Sequence, residues 1–314
     1  MAKSRIDTLN AVINENFALL DTEASSALER RLAGLRDRAM LIALDGPILP
    51  GETAAEEFHA LFAGTKLPDG IPDVTADYLD ARNRAELLSD KLTVCKFLAD
   101  ELSKRPNDTL TILLGEEVSI RSPRIAYFQN AYADAAFRIF SDAMDQPSVV
   151  YMPDFTAVCE EVYYGRADLC MLPLDSSRDA KLISFYRLID KYELSPVMSC
   201  DVTSPDGSVT TRYALLRRGI GLPETLDDSI FFEFTLVPDE DAALCDVLEA
   251  ARECDLTLYK VDSIPLTYSD SEFSSDIILK IGTKRGFEAF ALFMTLAVPQ
   301  YEPLGVYRHI LAKG

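Results

Sequence analysis

From residue 110 onward the chain alternates short strand-like segments with helix-like segments, and this alternation constrains the fold more than any other feature. In its first part the predicted strand–helix pairs are 124–128 with 132–144, 149–152 with 155–165, and 168–173 with 182–192. Strands joined by helices run parallel and are covered by those helices. The pattern therefore predicts an α/β unit over 109–222, built on a sheet with parallel neighbours.

A second alternating unit follows the segment Gly219-Ile220-Gly221. Its order is strand, helix, strand, strand, helix, strand, with predicted strands at 230–237, 256–263, 277–281 and 305–309 and helices at 241–254 and 286–296. This order is the ferredoxin-like βαββαβ pattern, which we predict for 226–314. The acidic stretch 269–276 lies between two of the strands, and we predict a solvated loop there.

The first hundred residues carry a different pattern. Apolar residues recur in steps of three and four over 6–42 and again over 74–102, with a short helix between Gly- and Pro-rich stretches. Long, short and long helices in this order predict an antiparallel helical bundle or a helical dimer over 1–108. The predicted fold class is therefore α + α/β in three units.

Composition excludes several classes of function. The chain has 31 Lys and Arg against 51 Asp and Glu, a net charge of −20, which disfavours binding to nucleic acids and anionic membranes. The longest apolar stretch, 289–299, is too short for a bilayer span, and the first residues lack the apolar core of a signal peptide. Six cysteines without a Cys-x-x-Cys pair indicate reduced thiols, and two histidines argue against a metal site or a His-centred triad. We expect a cytoplasmic protein without a cofactor.

Three ordered segments of the middle unit resemble the prephenate dehydratase family. Residues 125–136 resemble its first strand, turn and opening helix, residues 167–177 contain Pro-Leu-Asp-Ser-Ser where the family has Pro-Ile-Glu-Asn-Ser, and residues 210–216 contain Thr-Arg-Tyr where it has Thr-Arg-Phe. The resemblance implies an enzyme that removes a hydroxyl and a carboxylate from prephenate to give phenylpyruvate. Its ligand would be a small anionic or aromatic amino-acid-like molecule.

The C-terminal unit resembles the ACT domain that regulates these enzymes. Ala242-Ala243-Leu244 stand where the family has Gly-Ala-Leu, and Asp262-Ser263 stand in its Glu-Ser-Arg-Pro motif. The resemblance implies that these five residues bind phenylalanine at a subunit interface, in a homodimer or higher homo-oligomer. The alternative is a ferredoxin-like dimerisation module without a ligand. Residues 1–105 are similar to the chorismate mutase of bifunctional members by position and helix order.

The resemblance also implies roles for six residues in a catalytic site. Thr211 would donate the proton and Arg212 would hold a carboxylate, while the other four, Asp175, Ser176, Ser177 and Tyr132, would orient the substrate. Neighbours on a strand point to opposite faces, so Thr211 and Arg212 share a site only where their strand bends or ends. The alternatives are an amphipathic strand for Thr211-Arg212, a helix cap for 175–177 and a core residue for Tyr132.

The middle unit lacks a second lobe. Only residues 193–210 separate the predicted helix from Thr211, and 204–208 predict a tight hairpin turn. The family's Gly-rich turn is also missing at 128–131. A one-lobed site does not close over prephenate, so the leading hypothesis is a protein that binds an aromatic amino acid or its precursor with most or all turnover lost. The alternatives are an active dehydratase whose cleft another domain or subunit completes, and a structural homo-oligomer.

Overall fold

The computed structural model describes residues 88–89, 91–100, 102–103, 109–115, 117–118, 121–226, 229–236, 244–265, 273–298 and 301–311. Most of the predicted helical unit 1–108 therefore lies outside the described residues. The helices are α1 (91–100), α2 (Thr109–Leu114), α3 (Ala131–Ser141), α4 (Phe155–Tyr163), α5 (Ile183–Lys191), α6 (Leu244–Glu253) and α7 (Lys284–Ala297).

Ten of the twelve described strands form one mixed sheet, in the order β10-β11-β9-β12-β6-β7-β4-β2-β3, with β5 paired to β4. The strands are β1 (Glu117–Val118), β2 (Arg124–Phe128), β3 (Ser148–Met152), β4 (Leu169–Ser176), β5 (Ala180–Lys181), β6 (Leu194–Thr203), β7 (Thr210–Arg218), β8 (Leu222–Pro223), β9 (Ile230–Leu236), β10 (Leu256–Pro265), β11 (Phe273–Ile281) and β12 (Tyr301–Ile310).

The α/β half has the predicted alternation, with strands β2, β3 and β4 parallel. Helices α4 and α5 cover one face of its sheet through a core that includes Leu172 and Ala214, and α3 covers the other face through a core that includes Leu215. Asn130 caps α3 because its side-chain oxygen accepts hydrogen bonds from the backbone N–H groups of Tyr132 and Ala133 at 3.0 and 2.9 Å. The predicted hairpin at 204–208 is confirmed and joins β6 to β7.

The C-terminal half has the strand order β12-β9-β11-β10, all antiparallel, which is the ferredoxin-like arrangement. One face of this sheet is covered by α6 and α7. Phe232 and Phe234 of β9 pack there against Phe287 and Phe290 of α7, with ring centroids between 5.2 and 6.4 Å apart. Buried residues of α1 and α2 belong to the same core.

The two halves share their sheet because β12 runs parallel to β6, with Arg308 opposite Met198 and Ile310 opposite Cys200. Ser195 Oγ also donates a hydrogen bond of 2.6 Å to the carbonyl oxygen of Leu304 across this seam. The edge of the α/β sheet at β6 is thereby covered by the C-terminal half.

The prediction of a solvated loop over 269–276 is wrong for 273–276. These four residues begin β11, and Ser274, Ser275 and Asp276 are buried. A buried carboxylate is tolerated there because Lys181 Nζ lies 2.5 Å from Asp276 Oδ2. A cation distant in the sequence therefore decides the burial of this acidic segment.

Candidate functional site

Two of the predicted site residues, Asp175 and Arg212, lie directly opposite each other on the paired strands β4 and β7. Arg212 Nη2 is 2.7 Å from Asp175 Oδ2, and the side chain of Arg212 is only 5% exposed. The cation predicted to hold a substrate carboxylate is therefore already paired with a carboxylate of the chain itself.

Thr211 lies on the opposite face of the sheet from Arg212. Its partner in the register is Val202, which belongs to the core under α3, whereas Arg212 shares its face with Ala214, in the core under α4 and α5. Alternation along β7 therefore separates the two residues that the resemblance places in one site.

Ser176 is the last residue of β4, and Ser177 begins the turn that leads into β5. Ser176 Oγ accepts a hydrogen bond from the backbone N–H of Arg178 at 3.1 Å, and Ser177 Oγ accepts one from that of Thr210 at 2.9 Å. The alternative of a helix cap at 175–177 is wrong because a strand follows this turn. Tyr132 lies in the first turn of α3 with its side chain 42% exposed.

Arg212 stands at the centre of a group of buried and half-buried charged and phenolic side chains that we call the Arg212 cluster. Its members come from seven strands and one helix: Asp175, Lys181, Tyr186, Arg212, Glu233, Lys260, Asp262, Asp276 and Tyr307. Arg212 donates hydrogen bonds to the hydroxyl oxygens of Tyr307 and Tyr186 at 3.2 and 3.4 Å. These hydroxyls donate in turn to the two carboxylate oxygens of Glu233 at 2.7 and 2.8 Å.

The side chains of the Arg212 cluster connect the two halves of the molecule in addition to the strand pairing of the shared sheet. Lys181 of β5 pairs with Asp276 of β11 and also lies 3.6 Å from the ring centroid of Tyr186. Lys260 of β10 lies 3.2 Å from Asp175 of β4 and 2.9 Å from Asp262. Each lysine therefore contacts one group in its own half of the molecule and one group in the other half.

Burial sets the protonation of the cluster. It raises the pKa of the Tyr186 and Tyr307 phenols well above the ordinary value, so both remain neutral hydrogen-bond donors. Burial and the charge of Glu233 raise the pKa of Asp276 to about 7, and the opposing effect of Lys181 is smaller. Asp276 therefore changes charge near neutral pH.

We expect this carboxyl group to make the folded protein less stable as the pH rises from about 4, where the unfolded chain loses this proton, to about 7, where the folded chain loses it. The folded state binds the Asp276 proton more tightly than the unfolded state, so the free energy of unfolding falls by up to about 1.4 kcal/mol per pH unit in that window. Urea unfolding at a series of pH values measures this slope. An Asp276→Asn variant should have a flatter profile; equal slopes in both proteins would contradict the assignment.

Three of the five predicted effector residues are described, and they lie in two different elements, α6 and β10. Ala242 and Ala243 lie outside the described residues, and Leu244 begins the described part of α6. Asp262 belongs to the Arg212 cluster through Lys260, while Ser263 is exposed on β10 at the edge of the sheet. Asp262 is thus committed to an ion pair within the chain.

Six cluster members were not predicted from the sequence: Lys181, Tyr186, Glu233, Lys260, Asp276 and Tyr307. Glu233 carried the clearest sequence signal, because it interrupts the apolar run Ile-Phe-Phe-Glu-Phe of β9. A charged residue inside such a run indicates either an exposed face or a buried partner. One partner, Tyr186, comes from the α/β half, and the other, Tyr307, lies 74 residues further along the chain, so sequence spacing could not identify either.

His309 lies between Ser199 and Asp201, and these three residue types are those of a nucleophilic triad. Ser199 Oγ and His309 Nδ1 are 2.9 Å apart, and His309 Nε2 is 3.7 Å from Asp201 Oδ2. Burial lowers the pKa of His309, although Asp201 opposes this. Ser199 is completely buried, so a substrate does not reach its hydroxyl group. The arrangement connects β12 to β6 and does not form a hydrolytic site.

Comparison with known proteins gives matches to solved structures alone. No family model and no curated protein matches the chain. Prephenate dehydratase from Streptococcus mutans is 17% identical, with a TM-score of 0.48, over 60% of this chain and 98% of that one. Prephenate dehydratase from Arthrobacter aurescens, solved with L-Phe, is 13% identical, with a TM-score of 0.45, over 59% and 90%. A quorum quenching acylase, GqqA, is 21% identical, with a TM-score of 0.46, over 59% and 94%.

Among the described helices none is long and apolar enough to cross a membrane. Within the described part of the chain, no three or more His, Cys, Asp or Glu side chains are grouped so that they could hold a metal ion.

Proposed function

We propose that this chain is a prephenate-dehydratase-like protein that binds an aromatic amino acid or its precursor and has lost dehydratase turnover. The loss of turnover is supported by the burial of Arg212 and its pairing with Asp175. A guanidinium group that holds a substrate carboxylate must present free N–H groups to a cleft. Here both terminal nitrogens bond to groups of the chain, and Nε is buried without a partner among the described residues.

Displacement of Asp175 by a substrate would not restore the clamp. It would leave the Asp175 carboxylate in a partly buried position, with Lys260 as its remaining cation, and it would bring a second anion beside Glu233. Thr211 lies on the other face of the sheet, so its hydroxyl group does not reach a substrate that Arg212 holds. Both features support a protein without turnover.

We assign 109–222 as a one-lobed dehydratase-like domain, 226–314 as an ACT-like domain and 1–108 as a helical unit in the position of a chorismate mutase. The ferredoxin-like order of β9 to β12 supports the ACT-like assignment. We expect the ACT-like domains to pair in a homodimer or higher homo-oligomer in the cytoplasm.

Ligand binding should appear as a gain in stability. L-phenylalanine at about one hundred times its Kd should raise the free energy of unfolding by about 2.7 kcal/mol, because the ligand binds the folded chain alone. Thermal unfolding with L-phenylalanine, L-tyrosine and prephenate measures the gain, with L-alanine as the matched control that lacks the ring. No response to any of the three aromatic or precursor ligands would contradict binding and favour a structural homo-oligomer.

A further inference from the structure

We propose that a cavity at the seam between the two halves binds an amino acid with an apolar side chain through its carboxylate and ammonium groups. This seam cavity, of about 350 Å³, is lined by β6, β12, β8 and the residues around them. The proposal rests on the binding function proposed above and gives it a location. That location differs from the residues to which the family resemblance assigns the effector.

The seam cavity lies on the opposite side of the sheet from the Arg212 cluster. Its lining residues Val306 and Arg308 alternate along β12 with Tyr307, which belongs to the cluster. Val197 and Met198 of β6 line the cavity beside them and pack with the core under α3. The cavity is therefore separate from the buried ion pairs and has room for a ligand.

The lining combines an apolar surface with both signs of charge. Val197, Met198, Leu222 and Val306 supply apolar surface, while Arg121, Arg308 and Glu224 supply the charges. Two arginines in one cavity are notable in a chain with a net charge of −20. Arg308 is held in position because its Nη2 donates a hydrogen bond of 2.8 Å to Thr225 Oγ1.

This set of groups matches the chemistry of an α-amino acid. Arginine recognises a carboxylate through paired N–H donors, and a carboxylate such as Glu224 accepts from an ammonium group. The apolar surface suits an uncharged side chain, and the volume lies in the range of small-molecule sites. A phosphate ester would satisfy the arginines but would meet Glu224 as a like charge.

The wall of the cavity is anchored to the rest of the fold. Leu222 and Pro223 form β8, which pairs in parallel with Glu117 and Val118 of β1. Gly115, with a φ of 113°, approaches the same connection so closely that a Cβ atom there would lie 2.9 Å from the Ile220 carbonyl oxygen. A ligand in the cavity would thus contact both halves of the sheet and the segment that connects them.

Calorimetric titration of the full chain with L-phenylalanine tests this location. Arg121→Gln and Arg308→Gln should each weaken the Kd about 10- to 100-fold, because each removes a charge-assisted hydrogen bond. Arg218→Gln, which removes a cation from an exposed pair with Glu193 on another part of the sheet, is the matched control and should leave the Kd unchanged. Thermal unfolding without ligand verifies that each variant folds.

Phenylpyruvate, which lacks the ammonium group, tests whether Glu224 binds that group of the ligand. Glu224→Gln should weaken L-phenylalanine binding and leave phenylpyruvate binding unchanged or tighter. If L-phenylalanine binds the wild-type protein and both arginine variants equally, the site lies elsewhere and the proposed function still stands. If neither probe binds the wild-type protein at millimolar concentration, the proposed function fails and the site fails with it.

Discussion

Replacing Arg212 with methionine should lower the free energy of unfolding by about 3–5 kcal/mol. Arg212 is buried, and its guanidinium group compensates the Asp175 carboxylate directly and Glu233 through two tyrosine hydroxyls. Methionine fills a similar volume but leaves these carboxylates without their main cation. Urea unfolding at pH 7 measures the loss.

Arg218→Met is the matched control for this substitution. Arg218 pairs with Glu193 at 3.0 Å on the surface, with side chains 53% and 65% exposed, so its loss should cost less than about 1 kcal/mol. In the Arg212→Met background, Asp175→Asn should restore part of the stability because it removes an uncompensated charge. Equal small losses in both arginine variants would show that Arg212 is exposed to solvent and free to bind a substrate.

Phe232→Ala should destabilise the protein by about 3–5 kcal/mol, because it removes a fully buried ring from the core of the C-terminal half. The ring of Phe232 packs against Phe234, Phe287 and Phe290. Tyr164→Ala, which truncates a side chain that is 62% exposed, is the control and should change stability by less than about 0.5 kcal/mol.

Hydrogen exchange of the Phe232→Ala variant also tests whether the two halves unfold together. Because β12 and β6 join them in one sheet and the Arg212 cluster connects them again, the slowest amides of β4 and β7 should lose protection with those of β9. Loss of protection confined to 229–311 would show that the seam separates before the α/β half opens.

The elements of both halves were predictable from the sequence because their patterns are local. Alternating apolar residues and the turn residues between them placed β2 at 124–128 as observed, and predicted α4 and β9 to within two residues at each end. Residues 273–276 were misassigned because a rule based on local charge cannot include a cation from another strand. Local sequence fixes which segments form elements more readily than which elements meet.

The site could be predicted only in part for the same reason. Asp175 and Arg212 were identified, yet their pairing with each other depends on the register of β4 against β7. Glu233 and Tyr307 joined the cluster through the pairing of β12 with β6, which connects segments about one hundred residues apart. Non-local strand pairing of this kind leaves no periodic trace in a single sequence.

If the proposed loss of turnover is correct, the Arg212 cluster gives the charged residues a structural role in place of substrate binding. The cation that would hold a substrate pairs with a carboxylate of the chain itself, and Lys181 and Lys260 connect strands of the two halves beside it. The charges that would serve binding in an open site thus stabilise the contact between the two halves, at the cost of access.

Formation of phenylpyruvate from prephenate tests the absence of turnover most directly. Purified protein should produce phenylpyruvate no faster than Thr211→Ala, with phenylalanine absent and in several buffers, since Thr211 and Arg212 lie on opposite faces of β7. Turnover by the wild-type protein that is lost in a folded Thr211→Ala variant would contradict the proposal, and would mean that another domain or subunit completes an active dehydratase site.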